Sequence, residues 1–134
     1  MKIKNSKVFD PVRQKWYVFT PEEKVRQCLI IWLNKYCQIP YSRMAVEKKI
    51  VVFNRLKRFD LLVYDQHLKA KILFECKEPG FPIHQSIFNQ AAVYNFDLKA
   101  PFLGICNGFE LIVAEIDFLK NTYQFTDRLP NYPF

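Results

Sequence analysis

Apolar residues recur with helical spacing in two segments of this chain. From Val25 to Tyr36 they return every three or four positions, which puts them on one helical face. Thr20-Pro21-Glu22-Glu23, just before them, has the form of a capping box, in which the Thr20 hydroxyl accepts the Glu23 N–H and the Glu23 carboxylate reaches back to Thr20. These signals predict a helix over about 21–37. A second helix is predicted over 84–99, where no Gly or Pro intervenes and one face carries Ile87, Ala91, Tyr94 and Leu98.

The remaining apolar runs predict five strands. Three form a meander over 44–53, 58–64 and 71–77, with turns at 54–57 and 65–69. The last two, 102–106 and 109–116, flank Asn107-Gly108, the preferred pair for a two-residue type I′ turn, and so predict a C-terminal Asn-Gly β-hairpin.

The predicted element order is therefore α-β-β-β-α-β-β. The passage from the third strand through the second helix to the fourth strand is a crossover, which requires these two strands to be parallel with a right-handed connection. We predict an α/β fold in which helices flank a mixed sheet. No linker or repeat divides the chain, so residues 1–134 are predicted to form one domain with a core over about 20–117.

Composition narrows the class of protein. Half of the 134 residues are hydrophobic and 16% are aromatic, which excludes a mainly disordered chain. No apolar run reaches membrane-spanning length and the N-terminus lacks a signal-peptide pattern, so we expect a cytoplasmic protein without a membrane partner. The four cysteines lack zinc-site spacing, and we expect them to be reduced thiols in the core; they are Cys28, Cys37, Cys76 and Cys106.

Positive charge is concentrated in the first half of the chain. The net charge is +7 overall, with +9 over residues 1–60 and −2 over residues 61–134. Such a distribution favours an anionic partner for the first half, nucleic acid above all, although a solvated basic surface has the same composition. The candidate phosphate-facing residues are Lys48, Lys49, Arg55, Lys57 and Arg58.

Candidate chemistry lies in the meander. Glu75-Cys76-Lys77 ends an otherwise apolar strand, where buried charges need a reason. A turn centred between positions 67 and 68 places Asp60 opposite Glu75 and Arg58 opposite Lys77, all on one face. Two opposed carboxylates repel unless a cation lies between them, and Mg²⁺ binds one or two carboxylates in this way. The alternative is a cross-strand ion cluster without a metal.

Two residues of the second predicted helix are candidates for the same site. Gln90 and Tyr94 are four positions apart and project from one side, close to where a crossover helix passes the end of the third strand. The alternative is that Tyr94 is a core aromatic and Gln90 a surface residue.

These residues form a recognisable set. Arg58-Phe59-Asp60, Glu75-Cys76-Lys77 and Gln90-x-x-x-Tyr94, preceded by 20–27 and followed by Cys106-Asn107-Gly108, resemble the N-terminal nuclease domain of type I restriction enzyme R proteins, a family of the PD-(D/E)XK nuclease superfamily. The resemblance covers about residues 8–132. It implies a restriction-endonuclease-like αβββαβ core and a metal-dependent endonuclease that cuts DNA in restriction, defence or repair.

The resemblance also implies roles for individual residues. Asp60 and Glu75 would bind Mg²⁺ or Mn²⁺ with the Cys76 carbonyl, and Lys77 would orient or activate the attacking water. Gln90 and Tyr94 would line the site. Glu23 matches an acidic position that some superfamily members use near the metal; its capping role is the alternative.

Two questions of assembly and activity follow from the resemblance. The chain has no G-x-x-x-x-G-K-[ST] motif, so ATP-driven translocation and target recognition are expected from partner subunits, and a homodimer is an alternative way to cut both strands. The competing function is a nucleic-acid-binding or subunit-interaction domain that does not cut. The intact set of Asp60, Glu75 and Lys77 favours the enzyme.

Overall fold

Two helices form where the apolar spacing predicts them. The computed structural model describes residues 1–134, apart from the side chains of Ile50 and Val52, and contains α1 (Pro21–Lys35) and α2 (Gln85–Leu98). The Thr20 hydroxyl accepts the Glu23 N–H at 3.1 Å, as expected of an N-cap. The other half of the predicted capping box is wrong, because the Thr20 N–H donates to the Val18 carbonyl instead. Neither described helix is long and apolar enough to cross a membrane.

The strands are organised in three sheets. In chain order they are β1 (Ile3–Lys4), β2 (Lys7–Asp10), β3 (Lys15–Val18), β4 (Met44–Val46), β5 (Lys49–Val52), β6 (Arg55–Arg58), β7 (Leu61–Tyr64), β8 (Ala70–Cys76), β9 (Phe102–Cys106), β10 (Leu111–Asp117) and β11 (Thr122–Thr126). The main sheet has the order β11-β10-β9-β8-β7-β4, while β1-β2-β3 and β5-β6 pair separately. Only β8 and β9 pair in parallel within the described main sheet, so it is mixed, as predicted.

The helices cover opposite faces of this sheet. Ile72 and Phe74 of β8 share a core with α1, whereas Leu73 belongs to the core that includes Phe88 and Ala91 of α2. This division follows from the alternation of side chains along a strand. It confirms the α/β class and means that Glu75, two positions after Leu73, lies on the α2 face.

The middle of the chain departs from the predicted meander. The predicted strand over 44–53 is broken at Glu47, which has a positive φ of 52°, and the turn of the following hairpin is Phe53-Asn54, with φ of 50° and 61°, rather than 54–57. Residues 49–58 therefore leave the main sheet and form the β5–β6 hairpin. The sequence hides this turn because it contains neither Gly nor Pro.

The chain termini contain strands that the apolar pattern does not reveal. The β1–β3 sheet precedes α1, and β11 extends the main sheet beyond β10. The β9 and β10 strands are antiparallel, but four residues rather than two join them, and of Asn107 and Gly108 only Gly108 has a positive φ, of 87°. The Asn107 side-chain oxygen instead accepts the N–H groups of Phe109 and Glu110, at 3.0 and 2.8 Å.

The cysteines are all free thiols, and their burial differs from the prediction at one position. Cys76 and Cys106 are buried and Cys37 is partly so, whereas Cys28 is exposed on α1. The apolar segment around Cys28 places it beside the buried helical face rather than on it.

Candidate metal and nucleic-acid site

The β7–β8 hairpin brings the two predicted metal ligands together. Its register pairs Leu61 with Phe74, Leu62 with Leu73 and Val63 with Ile72, as the sequence predicts. One position further, Asp60 Oδ2 accepts the Cys76 N–H at 2.9 Å. The carboxyl groups of Asp60 and Glu75 are thus neighbours where β8 ends.

The predicted pairing of Arg58 with Lys77 is wrong. Arg58 pairs with Lys49 inside the β5–β6 hairpin, because that hairpin has separated from the main sheet. The Lys77 N–H donates to the Cys106 carbonyl at 2.8 Å, and the Lys77 ammonium lies 5.4 Å from the centre of the Phe81 ring. Arg58 instead contacts Glu47, with Nη1 3.2 Å from Oε2.

Burial and a nearby acid raise the pKa of Glu75. Loss of solvent around its carboxyl group, and then the charge of Asp60, raise the pKa of Glu75 to about 8, against the opposing effect of Lys77. Two carboxylates held this close cannot both ionise cheaply. The positive charge of Lys77 favours the ionised form of Glu75 and so limits this rise.

Arg26 of α1 binds Asp60 directly. Arg26 Nη2 donates to Asp60 Oδ1 at 2.7 Å, while Nη1 donates to Glu23 Oε2 at 2.5 Å and to Glu47 Oε1 at 3.1 Å. Arg26 is only 6% exposed, so these ion pairs are shielded from solvent. One guanidinium therefore orients carboxylates from three parts of the chain.

Glu23, predicted as a supporting acid, belongs to this ion network. It is 5% exposed and is bound by Arg26 and by Arg13, which also donates to Asp10 Oδ2 at 2.6 Å. Gln27 adds a hydrogen bond from Nε2 to Asp10 Oδ2 at 2.9 Å. The network extends from the β2–β3 region to Asp60, which the local sequence around α1 gives no means to foresee.

The cleft beside Asp60 contains two acids that sequence reasoning missed. It has a volume of about 300 Å³, and its charged lining residues are Glu22, Arg26, Glu47, Arg58, Asp60 and Glu75. Partial burial and then the charge of Asp60 raise the pKa of Glu22. The available signal was helical spacing, because Glu22 is four residues before Arg26 and so shares its face of α1. Glu47 carried no signal, since its positive φ depends on the break between β4 and β5.

Gln90 and Tyr94 are on α2, over the sheet face that carries Glu75. Gln90 is exposed, and Tyr94 is partly buried among the core residues beneath α2. The Lys57 ammonium lies 4.8 Å from the centre of the Tyr94 ring. Among the described side chains, neither residue hydrogen-bonds to Asp60 or Glu75, so the structure associates Tyr94 with the basic hairpin instead.

The predicted basic residues lie on or beside the β5–β6 hairpin. Lys57 is partly buried under its contact with Tyr94, and the other four are exposed. Lys48 donates to the Tyr64 hydroxyl at 2.6 Å. The positive patch thus begins next to the acidic cleft, which also contains Arg58.

The oxygen donors beside Asp60 are of the type that a hard divalent cation binds, although they are few. Within the described residues, no three His, Cys, Asp or Glu side chains are arranged to hold a metal ion. Asp60 and Glu75 supply two carboxylates, and the Cys76 backbone faces Asp60 through its N–H. Because the N–H and C=O of one strand residue point to the same side, the Cys76 carbonyl is on that side as well. Two carboxylates and one carbonyl, with water, match the ligands that Mg²⁺ uses.

Comparison with known proteins identifies the family. The profile of the type I restriction enzyme R protein N terminus matches residues 21–130, most of the chain. The chain belongs to this family. No curated protein matches it.

The candidate site of this restriction enzyme R protein N-terminal domain lies within the matched segment. The match begins at Pro21, the first residue of α1, and includes all the predicted site residues. Asp10 and Arg13 precede it, so part of the buried ion network lies outside the matched segment. Family membership indicates involvement in a restriction system.

Proposed function

We propose that this domain is a nuclease that hydrolyses phosphodiester bonds in DNA with Mg²⁺ or Mn²⁺. The observation that supports it is the close approach of Asp60 and Glu75 where β8 ends, beside Lys77 and a basic hairpin. Membership in the restriction enzyme family agrees with this chemistry. The proposed setting is the cytoplasm, and the proposed PD-(D/E)XK core comprises α1, the β4–β8 region, α2 and the β9–β10 hairpin.

Asp60, Glu75 and the Cys76 carbonyl would hold the cation. Burial and then repulsion from Asp60 raise the pKa of Glu75, and a cation there would relieve the repulsion. When bound, it would polarise the scissile phosphate and lower the pKa of a coordinated water. Glu22, in the same cleft, would add negative charge that favours a cation.

Other residues would orient the reacting groups. Lys77 would orient the attacking water and stabilise negative charge that develops on the phosphate. Arg26 would fix the direction of the Asp60 carboxylate through its 2.7 Å hydrogen bond. Gln90 and Tyr94 would line the DNA side of the site, with Tyr94 supporting Lys57.

The basic hairpin would hold the DNA backbone. Contacts to phosphate carry no sequence information, so binding would be weak, salt-sensitive and independent of sequence. Target recognition and ATP-driven translocation would come from partner subunits. A homodimer is the alternative way to cut both strands.

One observation favours a second function, a domain that binds DNA or a partner subunit without cutting. Both oxygens of Asp60 already accept hydrogen bonds, Oδ1 from Arg26 and Oδ2 from the Cys76 N–H. A carboxylate engaged in this way keeps fewer lone pairs for a cation. Calorimetric titration with Mn²⁺ separates the two functions, because the non-cutting domain would bind no Mn²⁺ at Asp60 and Glu75.

Plasmid nicking tests the proposed function directly. We expect nicking with Mg²⁺ or Mn²⁺ and none in EDTA. Lys77→Ala should abolish nicking while DNA affinity, measured in EDTA, stays close to that of the unmodified protein. Lys69→Ala, at the exposed turn at the other end of the hairpin, is the matched control and should nick normally. Absence of nicking with either metal on any DNA or RNA would refute the proposal.

A further inference from the structure

The outer face of the β5–β6 hairpin combines charge and apolar surface. Lys49 pairs with Arg58, and Val51 pairs with Leu56, across the antiparallel ladder. Directly opposed residues share a face, and the next pair on that face is two positions along, so these four side chains lie together. Lys57, one position away, is on the opposite face against Tyr94. The four residues are defined here as the outer face.

This face leaves large apolar side chains in solvent. Val51 is 63% exposed and Leu56 64% exposed, and Phe53 at the tip of the hairpin is 68% exposed. Phe53 also stacks on Phe96 of α2, with ring centres 6.0 Å apart. Isolated apolar residues on a surface need no explanation, but a contiguous group of them commonly marks a contact with another molecule.

The base of the hairpin is tied to the candidate site. The Glu47 N–H donates to the Asp60 carbonyl at 3.2 Å, and the Phe59 N–H donates to the Lys48 carbonyl at 2.9 Å. Arg58 lines the cleft together with Asp60 and Glu75. A polymer bound in this cleft and extending along the outer face would contact Lys49 and Arg58 first, and then Val51 and Leu56.

The order of these contacts matches nucleic acid. Lys49 and Arg58 are directly opposed cations, and of these two only Arg58 pairs with Glu47 among the described side chains, so a phosphate between them would be an anion that pairs with both. In an intact duplex the only apolar groups within reach of the pair further out are thymine methyls in the major groove, which offer much less contact area than an unstacked base. Apolar side chains that insert into DNA do so between base steps, which they partly unstack. A two-stranded ribbon is narrow enough to enter the major groove.

We propose that the hairpin is a wedge, and that the substrate class is DNA with an unpaired or easily unstacked step next to the phosphate that is cut. Lys49 and Arg58 hold the backbone at the cleft, while Val51 and Leu56 occupy the opened step. The preference arises because unstacking costs least where pairing is already lost. The inference rests on the proposed nuclease function for the position of the cut phosphate.

Binding in EDTA tests the wedge without any cleavage. Fluorescence anisotropy would compare a fully paired duplex with the same duplex carrying a central mismatched bubble. We expect the bubble to bind about tenfold more tightly. A fluorescent adenine analogue inside the bubble should brighten on binding as it unstacks.

The matched variants change exposed aliphatic residues at two places. Val51→Ser combined with Leu56→Ser should reduce the preference to about twofold or less and remove the brightening, with affinity for the paired duplex nearly unchanged. Leu68→Ser alters a leucine that is 69% exposed at the other end of the β7–β8 hairpin and should leave the preference intact. Circular dichroism checks that each variant is folded.

The outcomes separate the wedge from the nuclease. Equal affinity of the unmodified protein for both duplexes, or a preference that survives in the double variant, overturns the wedge. A wedge-dependent preference in EDTA without any cleavage in Mn²⁺ supports the wedge and refutes the proposed nuclease. Cleavage with no preference for the bubble retains the nuclease and overturns the wedge.

Discussion

The two ends of the β7–β8 hairpin each carry an aspartate that accepts backbone N–H groups, with opposite electrostatic results. At the turn, Asp65 Oδ1 accepts from His67 at 2.8 Å and from Lys69 at 3.0 Å, and these bonds, the Lys69 bond first, lower the pKa of Asp65. At the other end, Asp60 accepts the Cys76 N–H, yet burial and then the charge of Asp60 raise the pKa of Glu75 to about 8. The acceptor atoms at the turn are used by local hydrogen bonds, whereas the other end brings two acids together, whose repulsion a cation would relieve.

The largest expected effect is on cleavage. Asp60→Asn removes one of the two carboxylates that would hold the metal, and we expect the rate of plasmid nicking to fall on the order of a thousandfold. Asp65→Asn should change that rate less than about twofold, because the turn is remote from the cleft. Initial nicking rates in Mn²⁺ provide the measurement. Nicking by Asp60→Asn at more than about a tenth of the original rate would remove the contrast between the two ends.

The part of this contrast that sequence predicts is the strand register. A turn centred between positions 67 and 68 predicts which residues are opposed, and the pairs Leu61–Phe74, Leu62–Leu73 and Val63–Ile72 have this register. The runs 61–63 and 72–74 are apolar at every position and buried on both faces, so the position of the turn carries the prediction. The proximity of Asp60 and Glu75 follows from that register alone. The helices were predicted equally well, because their apolar faces repeat locally.

The rest of the site depends on contacts between distant segments. Arg58 was misplaced because Phe53 and Asn54 form a turn without Gly or Pro. Glu23 rather than Glu22 is the predicted supporting acid because it matches an acidic position in the resemblance. In the structure Glu23 binds Arg13, from the loop between β2 and β3, while Glu22 lines the cleft. Neither contact leaves a periodic signal in the sequence.

The next largest effect is on stability, at the acidic end of the hairpin. Arg26→Met leaves the buried Glu23 and the partly buried Asp60 without their shared cation, which should lower the free energy of unfolding by about 3–5 kcal/mol. Arg58→Met breaks only the contact with Glu47, from a side chain that is 59% exposed, and should cost less than about 1 kcal/mol. Urea denaturation of both variants at neutral pH gives the comparison. Similar losses of unfolding free energy in the two variants would mean that the burial of Arg26 does not make its ion pairs more stabilising than that of Arg58.

A stability effect of comparable size concerns pH. The pKa of Glu75 in the folded protein, about 8, exceeds its ordinary value of 4.5, so the folded state binds this proton more tightly than the unfolded state. Its stabilising contribution is complete below about pH 4.5 and is lost as the pH rises to about 8. In EDTA, the free energy of unfolding should therefore fall across this window.

Glu75→Gln is the variant that isolates this titration. It should remove most of the pH slope and leave a weaker slope from Glu22, whose pKa is raised in the same direction. Urea denaturation in EDTA at several pH values provides the measurement. A wild-type stability that does not change over the window, or a slope that persists unchanged in Glu75→Gln, contradicts the assignment.

The smallest effect on stability is expected at the turn, where the pH dependence is opposite in sign to that of Glu75. The pKa of Asp65 is lowered in the folded protein, so its contribution is present above its ordinary pKa of 3.8 and is lost as the pH falls. Asp65→Asn keeps a side-chain oxygen that can accept the His67 and Lys69 N–H groups. We therefore expect Asp65→Asn to change the melting temperature little at pH 7 and to make its decline below about pH 4 less steep. Thermal denaturation followed by circular dichroism provides the measurement.

Asp65→Ala, which removes the acceptor as well as the charge, should lower the melting temperature further. If both variants melted alike, the hydrogen bonds would not be what stabilises this end, and the two ends of the hairpin would differ only in charge.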